Sequence, residues 1–154
     1  MKRREKQKQK EVSRSRVRTI LYSVAACFAV AGLADATYLS VLALSGETAA
    51  CGNSTGCFEV LGSPYAKVAS VPVAALGVLG YFSAFTCATF AAFSYLRART
   101  FFNLTVYLLF AATLWLLYVQ AFLLHAFCRY CLFSAATSFL LMGLVVASPS
   151  SRDG

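Results

Sequence analysis

The sequence predicts an all-α, polytopic membrane protein: a four-transmembrane-helix bundle with an outward-facing loop between helices 1 and 2. Three observations carry that prediction. Hydrophobic residues fill 59% of the 154 positions, where a soluble domain sits near about 45–50%, and the mean hydropathy is +0.67. Four apolar stretches are each long enough to cross a bilayer, which takes ~20 helical residues. Charge is gathered at one end: residues 1–18 hold nine of the fourteen Lys and Arg against two Glu, which is most of the net +8. In a soluble protein such a tail would argue for nucleic acid. Abutting a long apolar run, it reads instead as a topology signal and a contact for lipid headgroups, and no nucleic-acid partner is expected.

Residues 1–16 form the basic tail, expected to be disordered because it has little to bury. The membrane domain covers 17–147, with the outward loop at 45–70, and residues 148–154 form a second tail. The first span runs from about Val17 to Leu44 and contains one acid, Asp35. Basic residues, an apolar run and Ala34-Asp-Ala36 mimic a cleaved signal peptide, but the run outlasts the ~7–15 residues of a signal core. Its length suggests a tilted or protruding helix. The second span, Val71 to Leu96, is opened by Pro72, whose missing N–H costs nothing in a first turn. The stretch Arg97 to Thr100 reads as a tight helical hairpin. The third span runs from Phe101 to about His125 and the fourth from about Phe127 to Ala147, ended by Ser148-Pro149, so the corner between them must be sharp.

Lys and Arg set the direction. Residues 1–18, Arg97, Arg99 and Arg152 hold twelve of them, and Lys67 and Arg129 are the remaining two. The positive-inside bias makes both termini cytoplasmic. The 45–70 loop and the start of the fourth helix then face the periplasm, the exterior or an equivalent lumen.

Sulfur supplies the chemistry. Cys27 and Cys87, inside spans one and two, read as small buried hydrophobes. The other four lie on the outward side, Cys51 and Cys57 in CGNSTGCFEV and Cys128 and Cys131 in AFCRYCLFS, in a compartment that supports disulfides. A thiol at a helix start meets free backbone N–H groups and the positive end of the dipole, which favour its thiolate. Cys128 falls at that first turn, and Cys131 follows one turn later on the same face. Arg129 beside them either favours the thiolate further or contacts headgroups. A reaction partner dissolved in lipid would reach this dithiol. Cys51 and Cys57 flank GNSTG, a small, polar, Gly-bounded stretch accessible to a soluble protein. Two other readings compete. Four cysteines could hold structural zinc, but Cys-x5-Cys with Cys-x2-Cys departs from the short knuckle spacing, no His supports it well, and no metal is expected. Static staples are credible for Cys51–Cys57, but Cys-x-x-Cys at a helix start usually signals exchange.

DATYLS late in the first span, Cys51 and Cys57, VLGSPYAKVASVPVAALG leading into the second span, and AFCRYCLFS opening the fourth resemble the vitamin K epoxide reductase family, its bacterial and plastid branch in particular. The resemblance spans roughly residues 18–147. It implies a four-helix bundle around a quinone, such as ubiquinone, menaquinone or phylloquinone. Cys128 and Cys131 look like the active-site pair, with Cys131 the thiolate nearest the ring. Cys51 and Cys57 look like the shuttle pair: Cys51 meets the partner and Cys57 attacks Cys128. Ser63 matches a loop serine or threonine near the quinone, and Asp35 an acid late in the first helix. Animal members carry a tyrosine where this chain has Ala135, which puts vitamin K epoxide in doubt as substrate. Bacterial members often fuse a thioredoxin-like domain after the fourth helix. This chain ends at Gly154, which leaves the partner as a separate protein or as part of a longer chain.

Some assignments stay open. Asp35, costly within a span, is a functional candidate by default or a group solvated at the interface. His125 is a proton donor or a helix cap. Tyr118, Gln120 and Phe122 are walls of a quinone pocket or ordinary packing. The expected activity is that of a membrane thiol oxidoreductase that generates disulfides. Electrons would pass from a thioredoxin-like partner on the extracytoplasmic side through Cys51/Cys57 to Cys128/Cys131 and then to a quinone, since quinones draw electrons from dithiols. The non-enzyme alternative is a four-helix membrane scaffold with structural disulfides or zinc.

Overall fold

The computed structural model describes residues 2–45, 60, 63–68, 71–93, 95–125 and 127–147. Four helices long and apolar enough to cross a membrane dominate it: α1 (Lys2–Ser45), α2 (Val73–Ala92), α3 (Leu96–Tyr118) and α4 (Arg129–Ala147). A π-helical turn, Val119–Leu124, extends α3. Before α2, a 3-10 turn at Pro64–Ala66 leads into an antiparallel ribbon of β1 (Lys67–Val68) and β2 (Val71–Pro72), in which Lys67 pairs with Pro72. The helices pack in a ring, α1 on α2, α2 on α3, α3 on α4 and α4 back on α1. Large apolar side chains such as Phe82, Leu104, Leu140 and Val146 face outward. Such a surface suits lipid, where helices satisfy every backbone group internally.

α1 begins at Lys2, so the basic tail is helical rather than unstructured. Lys, Arg, Gln and Glu are good helix formers, and Glu5 stands in the first turn, where the dipole favours an acid. Extending a helix already nucleated in the membrane adds one bond per residue without a new nucleus. The α2–α3 hairpin also falls earlier than expected. α2 ends at Ala92, where the Phe93 N–H reaches the Thr89 carbonyl at 3.3 Å, and the Tyr95 N–H reaches Phe90 at 3.3 Å. Arg97 to Thr100 thus belong to the first turns of α3. Phe, Ser and Tyr at 93–95 are weaker helix formers than the Leu-Arg-Ala-Arg that follows.

Small residues bring α1 and α2 together. Ala25, Ala29 and Ala36 on one side and Ala84, Ala88 and Ala91 on the other are buried at the seam. Without a hydrophobic drive between helices in lipid, close backbone approach through small side chains supplies the attraction. Gly32 marks the tightest point, since a Cβ there would lie 2.6 Å from Tyr81 Cζ. The ring of Tyr81 fills that space, and its hydroxyl crosses to α4. There it lies 2.9 Å from Ser138 Oγ, 3.0 Å from Ser134 Oγ and 3.1 Å from Thr137 Oγ1.

Candidate functional site

The corner between α3 and α4 builds the site. The π-helical turn widens the end of α3, and His125 closes it in the left-handed region at φ 49°, its N–H returning to the Gln120 carbonyl. π-turns of this kind are frequent at functional positions. His125 is exposed at this corner, in the role of a helix cap. Three residues later Cys128 takes the N-cap place of α4, its carbonyl accepting the Leu132 N–H at 3.0 Å.

An N-cap side chain accepts from the free N–H groups of the first turn. Cys128 does so with sulfur, taking the N–H groups of Tyr130 and Cys131, and its thiol also pairs with that of Cys131. Both cysteines are free thiols, Cys128 fully buried and Cys131 half-buried. The Cys131 thiol hydrogen bond and then those two N–H groups bring the Cys128 thiol, just outside the fourth span, down to about 7. Burial and the charge of Asp35 oppose the shift. Arg129 does not take part. It is exposed and lines a separate open groove between α1 and α4 with Asp35, Tyr38 and Tyr130.

Cys131 opens onto a cavity of about 550 Å³ lined by residues of all four helices and open to the surface beside Leu79, Leu108 and Trp115. Leu39, Gly77, Leu109, Leu116 and Ala135 give it apolar walls, while Tyr81, Thr113, Gln120 and Ser134 set polar atoms into them. That volume falls within the ~300–1,000 Å³ of small-molecule sites, which are mostly apolar with a few placed polar groups. Beside the dithiol, Leu39, Leu42 and Val60 close around Cys128.

The sequence-predicted candidates divide by place. Gln120 lines the cavity and is 1% exposed. Its Oε1 accepts the Cys128 N–H at 3.1 Å, and its Nε2 is buried with no partner among the described residues. Ser63 is buried next to the site, its hydroxyl donating to the Val60 carbonyl at 2.9 Å, and Val60 itself lines the cavity. Asp35 lies on the other face of α1, in the open groove, with Oδ2 buried and without a hydrogen-bond partner among the described residues. Phe122 is exposed and stacks on Tyr118 at 5.1 Å, away from the cavity. Cys51 and Cys57 lie outside the described residues. The hydroxyl cluster of Tyr81, Thr113, Ser134, Thr137 and Ser138 escaped sequence reasoning. Ser134 and Ser138, three and seven residues after Cys131, mark the polar stripe that could have announced it.

Fold and site together define an integral membrane oxidoreductase, a helical bundle with a dithiol at a helix start beside an apolar cavity. The chain belongs to the vitamin K epoxide reductase family, whose family model matches residues 23–146. No curated protein matches it at a significant level.

Proposed function

We propose that the protein is a quinone-dependent thiol oxidase that generates disulfides in the compartment outside the cytoplasm. The observation that carries this reading is Cys131 opening onto the 550 Å³ apolar cavity while Cys128 holds a lowered thiol at the helix start. Apolar walls suit a ring with an isoprenoid chain, and the buried Gln120 Nε2, without a hydrogen-bond partner among the described residues, suits a carbonyl. A quinone supplies an acceptor for two electrons and two protons. The Cys128/Cys131 dithiol gives up both thiol protons and two electrons as its S–S bond forms.

Re-reduction of that disulfide falls to Cys51 and Cys57. The Cys57 thiolate attacks Cys128, Cys131 leaves as thiolate, and Cys51 then displaces Cys128 to close Cys51–Cys57. Thiol–disulfide exchange requires this mixed disulfide. A thioredoxin-like protein reduces Cys51–Cys57 in turn and leaves with a disulfide of its own. Val60 favours the route: it packs beside Cys128, and Cys57 stands only three residues before it in the sequence. The positive-inside distribution of Lys and Arg favours cytoplasmic termini and outward-facing redox cysteines.

The test uses the full chain in lipid nanodiscs, with dithiothreitol as electron donor and a short-chain ubiquinone as acceptor. The wild type is expected to reduce the quinone one-for-one with dithiol oxidised, and Cys131→Ala to lose this activity by at least ~10²-fold, as for loss of a reacting group. Retained turnover in Cys131→Ala would remove Cys131 from the reaction.

A further inference from the structure

We infer that the Gln120 carboxamide bridges the bound acceptor and the active-site cysteine, with Nε2 donating to a quinone carbonyl oxygen while Oε1 holds the Cys128 backbone N–H. The inference rests on the quinone reading above and adds to it the group that orients the ring. The amide's orientation follows from its neighbour. A backbone N–H can only donate, so the atom 3.1 Å from the Cys128 nitrogen must be the oxygen. Nε2 is then turned away from the helix start. It is buried and has no acceptor among the described residues, on a side chain 1% exposed that lines the cavity beside Cys131.

A buried donor without an acceptor is uncommon in folded chains. Among the described residues no acceptor oxygen meets Nε2, and a quinone brings one on each side of its ring. The π-helical turn matters here. Gln120 sits at its second position, where the widened helix places one side chain against both the cavity and the start of α4. As the ring gains electrons its oxygen becomes more negative, so a hydrogen bond from Nε2 strengthens during the reaction. The same amide holds Cys128, whose own sulfur caps α4, so ring placement and thiol placement share one side chain.

Gln120→Met keeps the side-chain length and removes both amide bonds. In nanodiscs, with a short-chain ubiquinone as probe, its KM for quinone is expected to rise roughly tenfold, the scale of one lost hydrogen bond. The KM for dithiothreitol should stay unchanged. The infrared carbonyl stretch of the bound probe should move towards its value in free solution, a signature that loosened packing alone would not produce. Should Gln120→Met fail to fold, Gln120→Asn reads the same quantities, because its shorter amide cannot reach both partners. A wild-type quinone KM and carbonyl band in the folded variant would overturn the bridge while leaving the oxidase reading intact. A wild type that cannot reduce the probe would overturn both.

Discussion

At the N-cap of α4, Cys128 gains acidity and a fixed direction together. The Cys131 thiol and two backbone N–H groups all donate to its sulfur, so the negative charge is held before any acceptor arrives. The sign follows: a thiol lowered to about 7 is half thiolate at neutral pH, gains nucleophilicity as pH rises through that value and loses it below. Ultraviolet titration of the reduced protein should show a thiolate forming near this value, absent in Cys128→Ser. In Cys131→Ala, which removes the largest favourable contribution, the transition should move upward. A Cys128 that titrates like an ordinary exposed thiol in the wild type would contradict the N-cap account. Tyr81 is the second residue with a measurable role. One phenol reaches three side-chain hydroxyls of α4, and Tyr81→Phe removes its part in all of these contacts. The expected loss is about 0.6–1.7 kcal/mol, the range of inter-helical hydrogen bonds in membranes, read as a lowered midpoint in thermal unfolding in detergent. An unchanged midpoint would mean that the serines and threonine repartner among themselves.

Among the elements, the α1–α2 seam depends on small residues. Gly32→Val places a branched side chain into the ring of Tyr81, where even a Cβ would come within 2.6 Å of Cζ. Valine improves on glycine in helix propensity by less than ~1 kcal/mol, whereas overpacking costs about 1–3 kcal/mol, so the clash wins. The variant should melt earlier than wild type, and equal stability would mean that α1 and α2 separate without cost. The seam was legible only in part. Ala25, Ala29, Gly32 and Ala36 recur at helical spacing, but an apolar span offers no polar face to say which side is inward. The start of α4 was legible because cysteines three positions apart carry their own spacing signal. The helical tail and the earlier hairpin were not, since hydropathy locates the apolar run but not the caps that end it. Gln120 was visible as a polar residue in a span. Its double role depends on the π-helical turn, which turns that side chain to meet Cys128, and the sequence carries no mark of that turn.

For the whole molecule, the uneven charge and the four apolar runs made the membrane bundle legible, because bilayer thickness fixes span length and Lys and Arg favour the cytoplasm. After reduction of intact cells, an impermeant thiol reagent should reach Cys51 and Cys57 from outside but not Cys27 or Cys87. Labelling of the loop pair from the cytoplasmic face alone would reverse the orientation and the compartment with it. The proposed electron route joins Cys51 and Cys57 to the membrane pair, and one variant tests that joint most directly. In Cys51→Ala, Cys57 has lost its usual partner and should be trapped on Cys128, with Cys131 left free beside the cavity. Non-reducing digestion and mass spectrometry of that variant should yield a Cys57–Cys128 peptide pair. Cys57 found as a free thiol with Cys128–Cys131 intact would contradict the relay.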